Sequence, residues 1–94
     1  MMTVYVDTNV ILRYLLGDHR DMSSAATELF RQAGRGEIRL RIEPIILAEC
    51  CCVLQGKIYA RYFPSRHSIA DPLIRLILLP GVESDNPVWL IETL

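Results

Sequence analysis

No stretch of this sequence reaches the roughly 18–20 clean apolar residues that a membrane-spanning helix needs. The nearest candidate, Pro44 to Gly56, is interrupted by Glu49. The opening Met-Met-Thr-Val-Tyr-Val-Asp has no basic region and no small-residue cleavage site, so it does not read as a signal peptide. The expected compartment is the cytoplasm. No disulfide framework is offered: the three cysteines, Cys50, Cys51 and Cys52, are adjacent and odd in number. On a helix they would step about 100° apart, so they cannot converge on one ion and read as small buried hydrophobes. There is no GxGxxG and no Walker lysine, and Gly34-Arg35-Gly36 reads as a helix stop. His19 and His67 lack metal-ligand spacing and are expected on the surface.

What remains is compact and apolar. Of 94 residues, 51% are hydrophobic, and the formal net charge is −1. That combination excludes intrinsic disorder and bounds the chain to one small domain, residues 1–94. A chain this short buries only about 60–65% of its unfolded surface. So much apolar content implies that part of the surface meets a partner or that the chain is a piece of something larger. Charge is unevenly spread: residues 1–30 carry net −2, residues 31–66 net +4, and residues 67–94 net −3. Nine of the ten bases are arginine, the side chain suited to bidentate phosphate contact. A basic middle is compatible with nucleic acid; an ordinary surface of Arg–carboxylate pairs is the alternative.

Thr3–Val6 reads as a strand that ends at Asp7. Thr8 is a plausible N-cap for a helix whose stripe is Val10, Ile11, Tyr14 and Leu15, up to Gly17. Ser23 and Ser24 can cap a second helix, with Ala26, Leu29, Phe30 and Ala33 inward. Ile38, Leu40 and Ile42 alternate with Arg39 and Arg41 as a second strand. Pro44 suits the first turn of a third helix, Glu43 to Gly56, expected to be buried nearly all round. The fourth helical stretch, Ser65 to Leu79, is expected to break and restart at Pro72, with Asp71 as cap. Pro80-Gly81 turns into a third strand, Val82–Ser84, and Asp85 or Asn86 caps a last helix, Pro87–Leu94. This alternation predicts an α/β fold with a parallel sheet and helices on both faces.

Two acids stand out. Asp7 falls at the carboxyl end of the first strand, the edge where open α/β sheets bind ligands. Backed by Val4, Val6, Val10 and Ile11, it needs donors, a base or a cation, unless it simply caps the helix that follows. Glu49 is the one charge between Pro44 and Leu54. In a buried helix it would have a raised pKa, or be neutralised by a metal or an arginine. Together the two carboxylates make a hard-oxygen site suited to Mg²⁺ or Mn²⁺. Thr8 and Asn9 can orient the acid or hold metal-bound water, or act only as helix caps.

Val6-Asp7-Thr8-Asn9-Val10-Ile11-Leu12, then Ile46-Leu47-Ala48-Glu49-Cys50-Cys51-Cys52-Val53-Leu54, then Leu78-Leu79-Pro80-Gly81-Val82-Glu83 with Asp85 after it, resembles the PIN-domain family. The nearest likeness is to VapC-type toxins of bacterial toxin–antitoxin pairs. The resemblance implies a three-layer α/β/α fold with a parallel sheet, and Mg²⁺- or Mn²⁺-dependent hydrolysis of RNA. Asp7 matches the first family acid, Glu49 the second, and Asn9 the asparagine that supports the site, with Thr8 beside them. It also implies an antitoxin protein as partner. The family's third and fourth acids and its last two strands would fall after Leu94, so the chain resembles a PIN domain truncated at its C-terminus. Asp85 and Glu92 precede those positions and are not assigned as ligands. The first strand would be left with an open edge, from which a homodimer or larger assembly is expected. Two functions follow as alternatives: a metal-dependent endoribonuclease, or an inactive PIN-like module that keeps only self-association or antitoxin binding. An Asp-nucleophile phosphatase would need a second aspartate where Asn9 stands.

Overall fold

The computed structural model describes residues 2–17, 20–56, 59–60 and 62–84. Seven elements alternate along it: β1 (Thr3–Tyr5), α1 (Thr8–Leu16), α2 (Arg20–Gly34), β2 (Arg39–Arg41), α3 (Pro44–Leu54), α4 (Arg66–Ile77) and β3 (Val82–Glu83). The expected helix over 87–94 lies outside the described residues, as do His19, Asp85, Asn86 and Glu92.

The strands form one parallel sheet in the order β1-β2-β3. Val4 pairs with Leu40 and Tyr5 with Arg41; Leu40 pairs in turn with Val82. β2 is therefore central, and Ile38, Leu40 and Ile42 are all buried, as their alternation with arginine predicts. Among the described residues β1 pairs with β2 alone, so its other edge is open. The parallel register puts the carboxyl ends of β1 and β2 side by side, and α1 and α3 both start from that edge.

The core joins Ile11 of α1, Phe30 of α2, Leu47 and Leu54 of α3, and Leu73 and Leu76 of α4 to the sheet. Tyr14 packs on Phe30 with ring centroids 4.5 Å apart. Gly81 is buried where the chain enters β3; a β-carbon there would lie 2.5 Å from the carbonyl oxygens of Ala33 and Ile38. Turn propensity alone does not account for that residue: only glycine fits.

Three helix boundaries differ from expectation. Asp7, not Thr8, caps α1, and Thr8 is the first helical residue. Ser23 and Ser24 lie inside α2, where the Ser24 hydroxyl donates to the Arg20 carbonyl at 2.8 Å, a bond within the helix rather than a cap. α4 runs unbroken through Pro72 from a capping box made by Ser65 and Ser68. Pro72 removes one backbone donor, but Ile69, Leu73, Leu76 and Ile77 bury the same face on both sides of it and hold the helix together. No helix among the described residues is long and apolar enough to cross a membrane.

Candidate acidic site at the carboxyl edge of the sheet

β1 ends where Val6 still donates to the Arg41 carbonyl at 3.0 Å. The next residue, Asp7, turns the chain into α1. Its backbone stays extended (φ −96°, ψ 174°), and its Oδ1 accepts from the Val10 amide at 3.0 Å. The capping role open to this aspartate is thus the one it takes, and it engages one carboxylate oxygen. Both the cap and the helix dipole favour a negative charge at this point.

Thr8 then faces α3. Its hydroxyl donates to Glu49 Oε2 at 2.6 Å, across 41 residues of sequence. Charge-assisted O–H···O⁻ bonds are short, and this distance is typical of them. Glu49 is thus tied to the residue that follows Asp7, which brings the start of α1 and the middle of α3 into contact. Neither is paired with a guanidinium among the described residues.

The environment differs from the expectation in one respect. α3 is not buried all round: Leu47, Cys50 and Leu54 face the core, while Ile45, Ala48, Glu49, Cys52 and Val53 form an exposed face. Glu49 and Asp7 are both exposed. Burial therefore does not force a counter-charge on either acid. What remains is two exposed carboxylates, Asp7 fixed by a backbone amide and Glu49 by the Thr8 hydroxyl.

Cys50, the residue after Glu49 in α3, is fully buried. Burial is the main cause that pushes its thiol up to about 12, and the negative charges of Glu49 and Asp7 add to it, after that of a neighbouring Cys51 thiolate. Cys51 is pushed up in the same way, by burial first and then by Cys52, with Arg66 opposing. The sequence marked these cysteines only as hydrophobes. The expectation that all three are buried holds for Cys50 alone: Cys51 is half-buried and Cys52 exposed, because successive residues step about 100° around α3 and only one faces the core.

Asn9 follows Thr8 in α1. It lines a hollow of about 330 Å³ between α1 and α2, and Asp7 lies at that hollow's rim as well. Successive side chains fan out by about 100° at a helix start, so Thr8 and Asn9 flank Asp7 in different directions.

The donor set suits a hard divalent cation in type, because it is all oxygen. It is small in number. Among the described residues no group of three or more His, Cys, Asp or Glu side chains could hold an ion. Among the described residues, four arginines of the basic middle are paired with carboxylates. Arg31 pairs with Glu28, Arg35 with Glu37 at 3.8 Å, Arg39 with Glu83 at 3.0 Å, and Arg41 with Glu43 at 3.4 Å. The Arg–carboxylate alternative holds for these four, and charge alone does not mark a nucleic-acid surface there. His67 is exposed, as expected. Comparison with family models, curated proteins and solved structures gives no match to this chain.

Proposed function

We propose that this chain is a PIN-like, metal-dependent endoribonuclease module of the toxin type, built as a three-layer α/β/α domain. Asp7 and Glu49 would hold Mg²⁺ or Mn²⁺. The observation that carries the reading is the Thr8–Glu49 bond, which joins two sequence-distant acidic segments at the ligand-binding edge of a parallel sheet. A bound divalent ion supplies a lowered pKa for water and neutralisation of charge on phosphate oxygens. The chain's own residues do the positioning. The Val10 amide fixes the Asp7 carboxylate and leaves its second oxygen for a ligand. The Thr8 hydroxyl fixes Glu49 Oε2 and leaves Oε1. Asn9 offers an amide on the other flank of Asp7.

The test is cleavage of single-stranded RNA in Mn²⁺. Chelator, Asp7→Asn and Glu49→Gln should each abolish it. Intact RNA in the wild-type reaction, or cleavage that survives both substitutions, overturns the reading.

A second reading is favoured by one set of observations: Tyr5 on the open-edged strand β1 is 74% exposed, and Ile45 on α3 is 63% exposed. Apolar groups in these places suit an association module that binds an antitoxin protein or a second copy of itself. In that case Mn²⁺ leaves the melting temperature unchanged, and the chain sediments as a dimer or complex without cutting RNA.

A further inference from the structure

The hollow between α1 and α2 has two unlike walls. Asn9 and Arg13, four residues apart, lie on one face of α1 with Asp7 at the end. Met22, Ala25 and Leu29 repeat at helical spacing on the facing side of α2. One wall can hydrogen-bond, and the other is apolar. The volume, about 330 Å³, is at the small end of the range that encloses small organic ligands. Asp7 lines this hollow and is also one of the two acids of the candidate site, so anything lodged here sits next to the Asp7 carboxylate.

We propose that the hollow is a subsite for one unpaired purine base of single-stranded RNA, adjacent to the phosphate at the acidic site. The proposal rests on the nuclease reading for its location, and on the two walls for its chemistry. A planar base has apolar faces and a hydrogen-bonding edge. Met22 and Leu29 cover faces of that kind, the thioether being well suited to an aromatic ring. The Asn9 amide and the Arg13 guanidinium are the two side-chain types that match purine edges best. The Asp7 carboxylate disfavours a phosphate inside the hollow, so the base enters and the backbone stays at the metal side.

The test uses the ¹⁵N-labelled full chain in chelator, with millimolar 5′-AMP, GMP, UMP or CMP as probes and indole as an apolar control. Purine nucleotides should shift amide resonances of residues 9–13 and 22–29 more than pyrimidine nucleotides or indole do. Ala25→Trp should remove those shifts by filling the hollow from an exposed helical position. It should leave Mn²⁺ binding at the acidic site as in the wild type. Equal shifts from all probes, stronger shifts from indole, or purine shifts that persist in Ala25→Trp overturn the subsite. Metal-dependent RNA cleavage with unchanged kcat/KM in Ala25→Trp overturns the subsite and spares the nuclease. Purine binding in a chain that never cuts RNA does the reverse.

Discussion

Helices α1 and α4 begin with the same device and do different things with it. At α4, the Ser65 hydroxyl accepts from the Ser68 amide at 3.2 Å, and the Ser68 hydroxyl accepts from the Ser65 amide at 3.1 Å. The Ser68 hydroxyl also donates to the Ser65 carbonyl at 2.6 Å. The groups satisfy one another within four residues, and the side chains carry no charge. At α1, Asp7 gives one oxygen to the Val10 amide, and the next side chain, Thr8, reaches out of the helix to Glu49. One carboxylate is held at a sheet edge, and the next residue along the chain holds a second through its hydroxyl. The first arrangement is complete as helix chemistry. The second has capacity left over, and that surplus marks α1 as the candidate functional end.

Parallel substitutions at the two ends sharpen the contrast. The largest difference expected is in metal response. Asp7→Asn preserves capping, because asparagine caps as well as aspartate does. It should nevertheless abolish both the Mn²⁺-induced rise in Tm and RNA cleavage, whereas Ser65→Ala should leave both intact. A Mn²⁺ response retained in Asp7→Asn would erase the distinction.

Next in size is Thr8→Val, which keeps the branched shape and removes the hydroxyl that orients Glu49. A lost supporting bond of this kind typically lowers metal affinity or activity about 10–100-fold. Titration of Mn²⁺ into the variant measures the loss, and no matching change is expected from Ser68→Ala at the other helix. Stability reverses the ranking of the two ends. Asp7→Ala and Ser65→Ala should each cost about 1 kcal/mol in urea denaturation, as cap losses do, while Asp7→Asn should cost much less.

The smallest difference between the two ends concerns pH. The folded Cys50 thiol is raised from an ordinary value of 9.0 to about 12, by burial first. The folded chain therefore holds a proton that the unfolded chain gives up. This contribution is complete below pH 9 and is lost as pH rises from 9 towards 12. Cys50→Ala should flatten the fall in stability over that window. Asp7→Asn should weaken it slightly, by removing one nearby negative charge, and Ser65→Ala should leave it alone. An alkaline slope in Asp7→Asn identical to that of the wild type, with Cys50→Ala flattened, would show that Cys50 does not feel the α1 end.

The sequence revealed most where a single periodicity decides the structure. Ile38, Leu40 and Ile42 against Arg39 and Arg41 could only be a strand with one face inward, and that strand became the centre of the sheet. Asp7 and Glu49 stand out in the sequence because each interrupts an apolar run. α3 was misread because its composition is apolar on every face, so nothing in its pattern distinguishes the side that meets the core from the side that carries Glu49. Pro72 was misread because local propensity argues for a break, and tertiary burial on both sides overrides it. The Thr8–Glu49 bond and the hollow beside Asn9 are properties of helix packing. Only the i, i+4 pairing of Asn9 with Arg13 hints at the latter.

The central claim is that Asp7 and Glu49 act as one cation-binding unit, and Mn²⁺ binding in a double-substitution cycle tests it most directly. Isothermal titration of wild type, Asp7→Asn, Glu49→Gln and the double variant should show binding only in the wild type, with each single change as damaging as both together. Equal Mn²⁺ affinity in the wild type and either single variant would contradict it.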